Sequence, residues 1–140
     1  MAVVVDASLV YALIDKTMAT RRDAAEAIVT AGLAAGETLH APELLPYELA
    51  SALTRAVTLG GLDIGAAVGL WDAAMALPLQ LHVLRAGSPV LDVAARMLRR
   101  HSAYDAAYVA LALQLGAELW TCDRPLARNI SDALSVRVVE

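Results

Sequence analysis

The sequence predicts a three-layer α/β/α fold around a central, mainly parallel sheet, and three observations predict it. Short apolar runs such as Val3-Val4-Val5 and Leu119-Trp120-Thr121-Cys122 have the composition of strands buried on both faces. Stretches of helical periodicity separate these runs, so strand and helix alternate as they do when crossovers join parallel strands. Gly or Pro stands at most of the junctions. A length of 140 residues suits one domain spanning 1–140, large enough to bury a core without disulfides or structural metal.

Residues 3–5 form the first strand, followed by helices over about 8–15 and 20–34, the second stopped by Gly36. A second strand covers 38–40, and Pro42 breaks the chain before a helix over about 44–59. There Leu45, Leu49, Leu53 and Ala56 make an apolar stripe, Pro46 fits the first turn, and Gly60-Gly61 ends the helix. Asp63 opens a helix to about residue 77, terminated by Pro78. Trp71, with Val68, Leu70 and Met75, is expected in the core. Residues 79–84 make a third strand, and Ser88-Pro89 has the form of an N-cap opening a helix to about residue 100. Ser102-Ala103-Tyr104-Asp105 is spaced as a capping box for a helix ending at Gly116. A fourth strand over 118–122, a helical turn over about 124–129 and a closing strand over 136–139 complete the order.

Four acids stand out by placement. Asp6 and Asp123 each follow an apolar strand, at the carboxyl edge where open α/β sheets bind ligands. Leu45, Glu48, Leu49 and Ala52 share one side of a helix, as do Asp105, Tyr108, Val109 and Ala112, which turns Glu48 and Asp105 toward the core side. Each acid also has an ordinary explanation, as a helix cap for Asp6, Asp105 and Asp123 or a solvated helix residue for Glu48. Together they suit a carboxylate cage for a hard divalent cation. Thr121, two residues from Asp123, points a hydroxyl to the same side of the strand.

Composition narrows the rest. A hydrophobic fraction of 59% is inflated by alanine, and no run approaches the roughly 18 apolar residues of a membrane span. The start Met1–Asp6 has no basic segment of a secretory signal, which argues for the cytoplasm. The single Cys122 cannot form an intrachain disulfide or a thiolate metal site. The net charge of −4 speaks against nucleic acid, yet without the four acids the remaining eleven acidic residues balance eleven Lys and Arg. Ten of those cations are Arg, suited to bidentate phosphate contacts.

The residues Val4-Val5-Asp6-Ala7-Ser8-Leu9-Val10, Ala41-Pro42-Glu43-Leu44-Leu45-Pro46-Tyr47-Glu48, Ala103-Tyr104-Asp105-Ala106-Ala107-Tyr108 and Leu119-Trp120-Thr121-Cys122-Asp123-Arg124-Pro125 resemble the motifs of the PIN domain. The likeness is closest to the VapC toxins of bacterial toxin–antitoxin pairs and covers nearly the whole chain. It implies a PIN-like fold and a metal-dependent endoribonuclease site built from Asp6, Glu48, Asp105 and Asp123. Thr121 matches the hydroxyl position of the last motif, and Ser8 a small polar position after the first acid. The implied cofactor is Mg²⁺ or Mn²⁺, which polarises a phosphodiester and activates water for in-line attack. Asp6 and Asp123 are expected as inner ligands, with Glu48 and Asp105 acting through water or as general bases.

The implied partners are a structured RNA substrate (transfer or ribosomal), a VapB-like antitoxin that obstructs the acidic site, and a second copy of the chain. DNA would be met only through the antitoxin. Arg96, Arg99 and Arg100, with His101, and Arg124 with Arg128, are candidates to meet phosphate. Helix-terminal cations that complement the helix dipole are the competing explanation for them. Arg21 and Arg22 are set aside, and His40, His82 and His101 have no spacing of a zinc site or catalytic dyad. Two other functions compete: a noncatalytic interaction module whose acids only cap helices, and an aspartate-based phosphatase or phosphotransfer domain. The latter expects a second Asp two residues after Asp6, where Ser8 stands.

Overall fold

In the computed structural model, which describes residues 1–99 and 103–140, five parallel strands alternate with helices. In order these are β1 (Ala2–Val5), α1 (Ala7–Ile14), α2 (Ala19–Ala34), β2 (Thr38–Pro42), α3 (Leu45–Thr58), α4 (Ile64–Met75), β3 (Leu79–His82), α5 (Val90–Asp92), α6 (Tyr104–Leu115), β4 (Glu118–Thr121), α7 (Arg124–Ile130) and β5 (Val136–Val138). The sheet order is β3-β2-β1-β4-β5. β1 is therefore central, which accounts for Val3, Val4 and Val5 all being 4% exposed or less.

The helices fall into two layers. α1 packs with α2, α3 and α4, while α6 lies across β1, β2 and β4 and packs with α5 and the segment that continues it. The core joins both layers through Leu9, Val10, Leu45 and Leu49 on one side and Val93, Tyr108, Val109 and Ala112 on the other. α2 approaches β4 closely at Gly32, where a Cβ would lie 2.5 Å from Trp120 Cη2, so any larger residue must displace the indole. Pro46 lies in the first turn of α3, and Asp63 caps α4 by accepting from the Ala66 N–H at 3.1 Å.

Several expected boundaries move. β2 extends to Pro42, beyond the last β1 partner at Val4↔His40, so the proline lies where only β3 runs alongside. β3 ends at His82 rather than residue 84, because His82 pairs with Pro42 and the chain of β2 then turns away. Ser88 Oγ does accept from the Val90 N–H at 3.2 Å, but the α-helix that follows is only three residues long. It widens into a π-helical stretch over Val93–Leu98, closed by the bond from Arg99 N–H to Ala94 O, with Arg99 left-handed at φ 51°. The helix expected to reach residue 100 thus stops short. α6 starts at Tyr104 with Ala103 as N-cap, and the capping box expected of Ser102 and Asp105 rests on Ser102. Ser102 lies outside the described residues. Trp71 and Leu70 are partly buried against the core, whereas Val68 is 51% exposed and Met75 37%, a correction to their expected burial.

Candidate functional site

Asp6 leaves the end of β1 and Asp123 the end of β4. The two strands are direct neighbours, so both acids emerge side by side at the carboxyl edge of the sheet. Asp6 is 5% exposed, and both its oxygens are engaged. Oδ1 accepts from Ser8 Oγ at 2.6 Å and from the Leu9 N–H at 3.0 Å, the second bond capping α1. Oδ2 accepts from Thr121 Oγ1.

Thr121 is fully buried and ties the two strand ends together, since its Oγ1 also accepts the Asp123 N–H at 2.9 Å. Ser8 Oγ likewise accepts the Cys122 N–H at 2.9 Å. Each hydroxyl has one proton and gives it to Asp6, which leaves none for the 3.3 Å contact between Ser8 Oγ and Thr121 Oγ1. Asp123, half-buried, caps α7 by accepting the Leu126 N–H at Oδ1, 3.0 Å away.

The other two acids enter from helices. Glu48, in the first turn of α3, is half-buried, and Tyr108 Oη donates to its Oε1 at 2.6 Å. Asp105, in the first turn of α6, is half-buried one turn before Tyr108. Burial pushes the Asp6 carboxyl up; the bonds from Ser8, Thr121 and Leu9 pull it down, the Asp123 charge pushes it up, and the net direction is upward. Glu48 is also raised, first by burial and then by the charges of Asp105 and Asp6, against the lowering bond from Tyr108. The Tyr108 phenol is driven far above its ordinary range by burial and by Glu48, so it remains a donor. Burial and Asp6 push the Cys122 thiol up to about 11, with the Arg21 charge pulling the other way.

The four acids thus form an edge cluster in which like charges are felt from Asp123 through Asp6 to Glu48 and Asp105. It is not a closed cage: among the described residues no three acid, His or Cys side chains come close enough to share an ion. Oxygen donors that repel one another suit a hard cation. Mg²⁺ commonly keeps several waters, so the donor set fits an ion held partly through water.

The cationic candidates are dispersed. Arg96 pairs with Asp92 at 3.1 Å on the surface, and Arg99 is exposed at the left-handed end of the π-helical stretch. Arg124, beside Asp123, pairs with Glu140 at 2.7 Å, and Arg128 is exposed on α7. Arg100 and His101 lie outside the described residues. His40 and His82, far apart in sequence, are brought together by the β2–β3 register, with His40 Nδ1 and His82 Nε2 2.8 Å apart and Thr38 Oγ1 2.8 Å from His40 Nε2. No spacing rule signals that pair. Tyr108 was visible only as a neighbour of Asp105 on the same helix face, and its bond to Glu48 depends on how α3 and α6 sit. No helix among the described residues is long and apolar enough to cross a membrane.

An all-parallel α/β/α sheet with acids at its carboxyl edge matches known proteins over nearly the whole chain. A family model of the PIN domain covers residues 3–130, and the chain belongs to the PIN-domain family. Its similarity runs to VapC ribonucleases. It is 35% identical over 135 residues to ribonuclease VapC3 of Pyrobaculum aerophilum, covering 92% of this chain and 95% of that one. It is 31% identical over 104 residues to ribonuclease VapC12 of Mycobacterium tuberculosis, covering 74% of this chain and 78% of that one. Two crystal structures share the fold. PAE2754 from Pyrobaculum aerophilum has a TM-score of 0.68 and 24% identity, over 97% of this chain and 83% of that one. VapC20 of Mycobacterium tuberculosis, a sarcin-ricin loop cleaving toxin, has a TM-score of 0.64 and 20% identity over 99% of both chains.

Proposed function

We propose that the chain is a metal-dependent endoribonuclease, the toxin of a type II VapBC-like pair, working as one PIN-like nuclease domain over 1–140. The observation that carries this reading is the delivery of Asp6 and Asp123 to one edge by adjacent strands, with Glu48 and Asp105 within electrostatic reach. Asp6 and Asp123 would hold Mg²⁺ or Mn²⁺ directly, and Glu48 and Asp105 through water. Bound there, the ion supplies positive charge to the scissile phosphodiester and makes a nearby water more acidic.

The chain's own groups do the rest. Ser8 and Thr121 fix both oxygens of Asp6, so its orientation needs no reorganisation when substrate arrives. Tyr108 holds Glu48 Oε1, leaving Oε2 to take a proton from the attacking water. The raised pKa of Glu48 moves that base toward neutral pH, where it accepts a proton more readily. The substrate is a structured cellular RNA, transfer or ribosomal. In this reading the protein acts in the cytoplasm as a homodimer restrained by a VapB-like antitoxin, through which alone it meets DNA.

A noncatalytic module has one observation in its favour, since Asp6 and Asp123 both cap helices. Brief induction in cells followed by end-mapping of RNA separates the two. New RNA ends with the native protein and none with Asp6→Asn support the nuclease; identical end profiles refute it. Asparagine keeps the α1 cap, so loss of cleavage would not come from an uncapped helix.

A further inference from the structure

An acidic edge repels the RNA backbone it is meant to cut, so cations must flank it. A pocket of about 530 Å³ opens beside Asp123, lined by Arg21, Cys122, Asp123, Arg124, Val139 and Glu140. It joins three distant parts of the chain: the start of α2, the turn from β4 into α7, and the residues after β5. Arg21 is exposed and borders the same pocket as Cys122 and Asp123. Arg124 pairs with Glu140, which also lines the pocket, Nη2 to Oε1 at 2.7 Å, with both side chains more than half exposed. Two arginines from separate elements that line one pocket with a metal-ligand candidate suit a phosphate, which each guanidinium can bind through paired N–H donors.

We propose that this pocket is a phosphate subsite for the RNA strand next to the scissile bond, with Arg21 and Arg124 as its binding residues and the Glu140 carboxylate holding Arg124 until RNA displaces it. The proposal rests on the ribonuclease reading above and adds to it a residue set, Arg21 and Glu140, that spacing alone had left out. The Arg124–Glu140 pair is solvent-exposed, so it is weak and exchangeable, as such a placeholder must be. A phosphate entering the pocket exchanges one anion for another at Arg124 and gains Arg21 as well.

The test measures binding of bulk transfer RNA to cleavage-deficient Asp6→Asn protein across a salt series, alone and with second substitutions. Arg21→Ala should weaken binding about 3- to 10-fold and reduce the slope of log K against log salt by about 0.7 to 0.9, one phosphate's worth. Arg21→Lys should keep the slope. Glu140→Gln should tighten binding about 3-fold by freeing Arg124, and that gain should vanish when Arg124→Ala is also present. An unchanged affinity and slope for Arg21→Ala, or a Glu140→Gln gain that survives Arg124→Ala, overturns the subsite alone. Asp6→Asn protein that binds neither bulk transfer RNA nor ribosomal RNA at any salt sinks the ribonuclease reading and the subsite together. Arg21 is exposed, so melting temperatures matching the parent confirm that affinity, not folding, was changed.

Discussion

Replacing Tyr108 with Phe removes one oxygen from a side chain that is 2% exposed and leaves its ring packing in place. The lost bond is the 2.6 Å donation to Glu48 Oε1. A hydrogen bond to a charged acceptor contributes about 1.5–3 kcal/mol, and because Glu48 is only half-buried, water recovers part of it, leaving about 1 kcal/mol. That bond lowers the Glu48 pKa against burial and the charges of Asp105 and Asp6, so without it the pKa rises further. The base form of Glu48 is lost as pH falls through its pKa, so the acid limb of the kcat/KM profile for RNA cleavage should move to higher pH. Activity on the alkaline side of the limb should be nearly preserved. A uniform fall in rate with the limb unmoved would refute the role given to Tyr108.

Two further substitutions probe the strand ends. Thr121→Val keeps the volume of a fully buried residue but leaves the Asp123 N–H without its acceptor and Asp6 Oδ2 without its donor, so urea unfolding should show a loss of about 1–3 kcal/mol. Thr121→Ser should restore most of it, and equal stability of the Val variant would refute the tie. Asp6 has a folded pKa above its ordinary 3.8. Its contribution to stability is therefore fully present below that value and lost as pH rises through the raised one. In EDTA, Asp6→Asn should gain stability relative to the native protein from acidic to neutral pH, and Mg²⁺ or Mn²⁺ should raise the melting temperature of the native protein but not of the variant. Parallel pH curves and no response to either ion would count against a cation at this edge.

What could be read from residues alone followed the range of the interactions. Val3-Val4-Val5, Asp63 and Pro46 act within a few residues of themselves, and each has its expected place. The four acids could be placed on strand ends and helix faces, but that Asp6 and Asp123 are neighbours depends on β1 pairing with β4, a contact between opposite ends of the chain. The Tyr108–Glu48 bond, the His40–His82 contact and the placing of Arg21 and Arg124 around one pocket depend on packing angles and register in the same way. The π-helical widening over Val93–Leu98 escapes periodicity because one extra residue in a turn disturbs no local composition rule.

The strand order also bears on when the protein becomes active during its own synthesis. β1 leaves the ribosome first and takes the middle of the sheet, yet its β4 neighbour begins at Glu118. Until that strand emerges, Asp6 lacks the Thr121 hydroxyl and the Asp123 carboxylate, and one flank of β1 has no partner. Pairings this far apart close late and slowly. A nascent or prematurely terminated chain ending before β4 therefore carries Asp6, Glu48 and Asp105 but lacks Thr121 and Asp123, so the acidic edge is completed only late in the translation of these 140 residues.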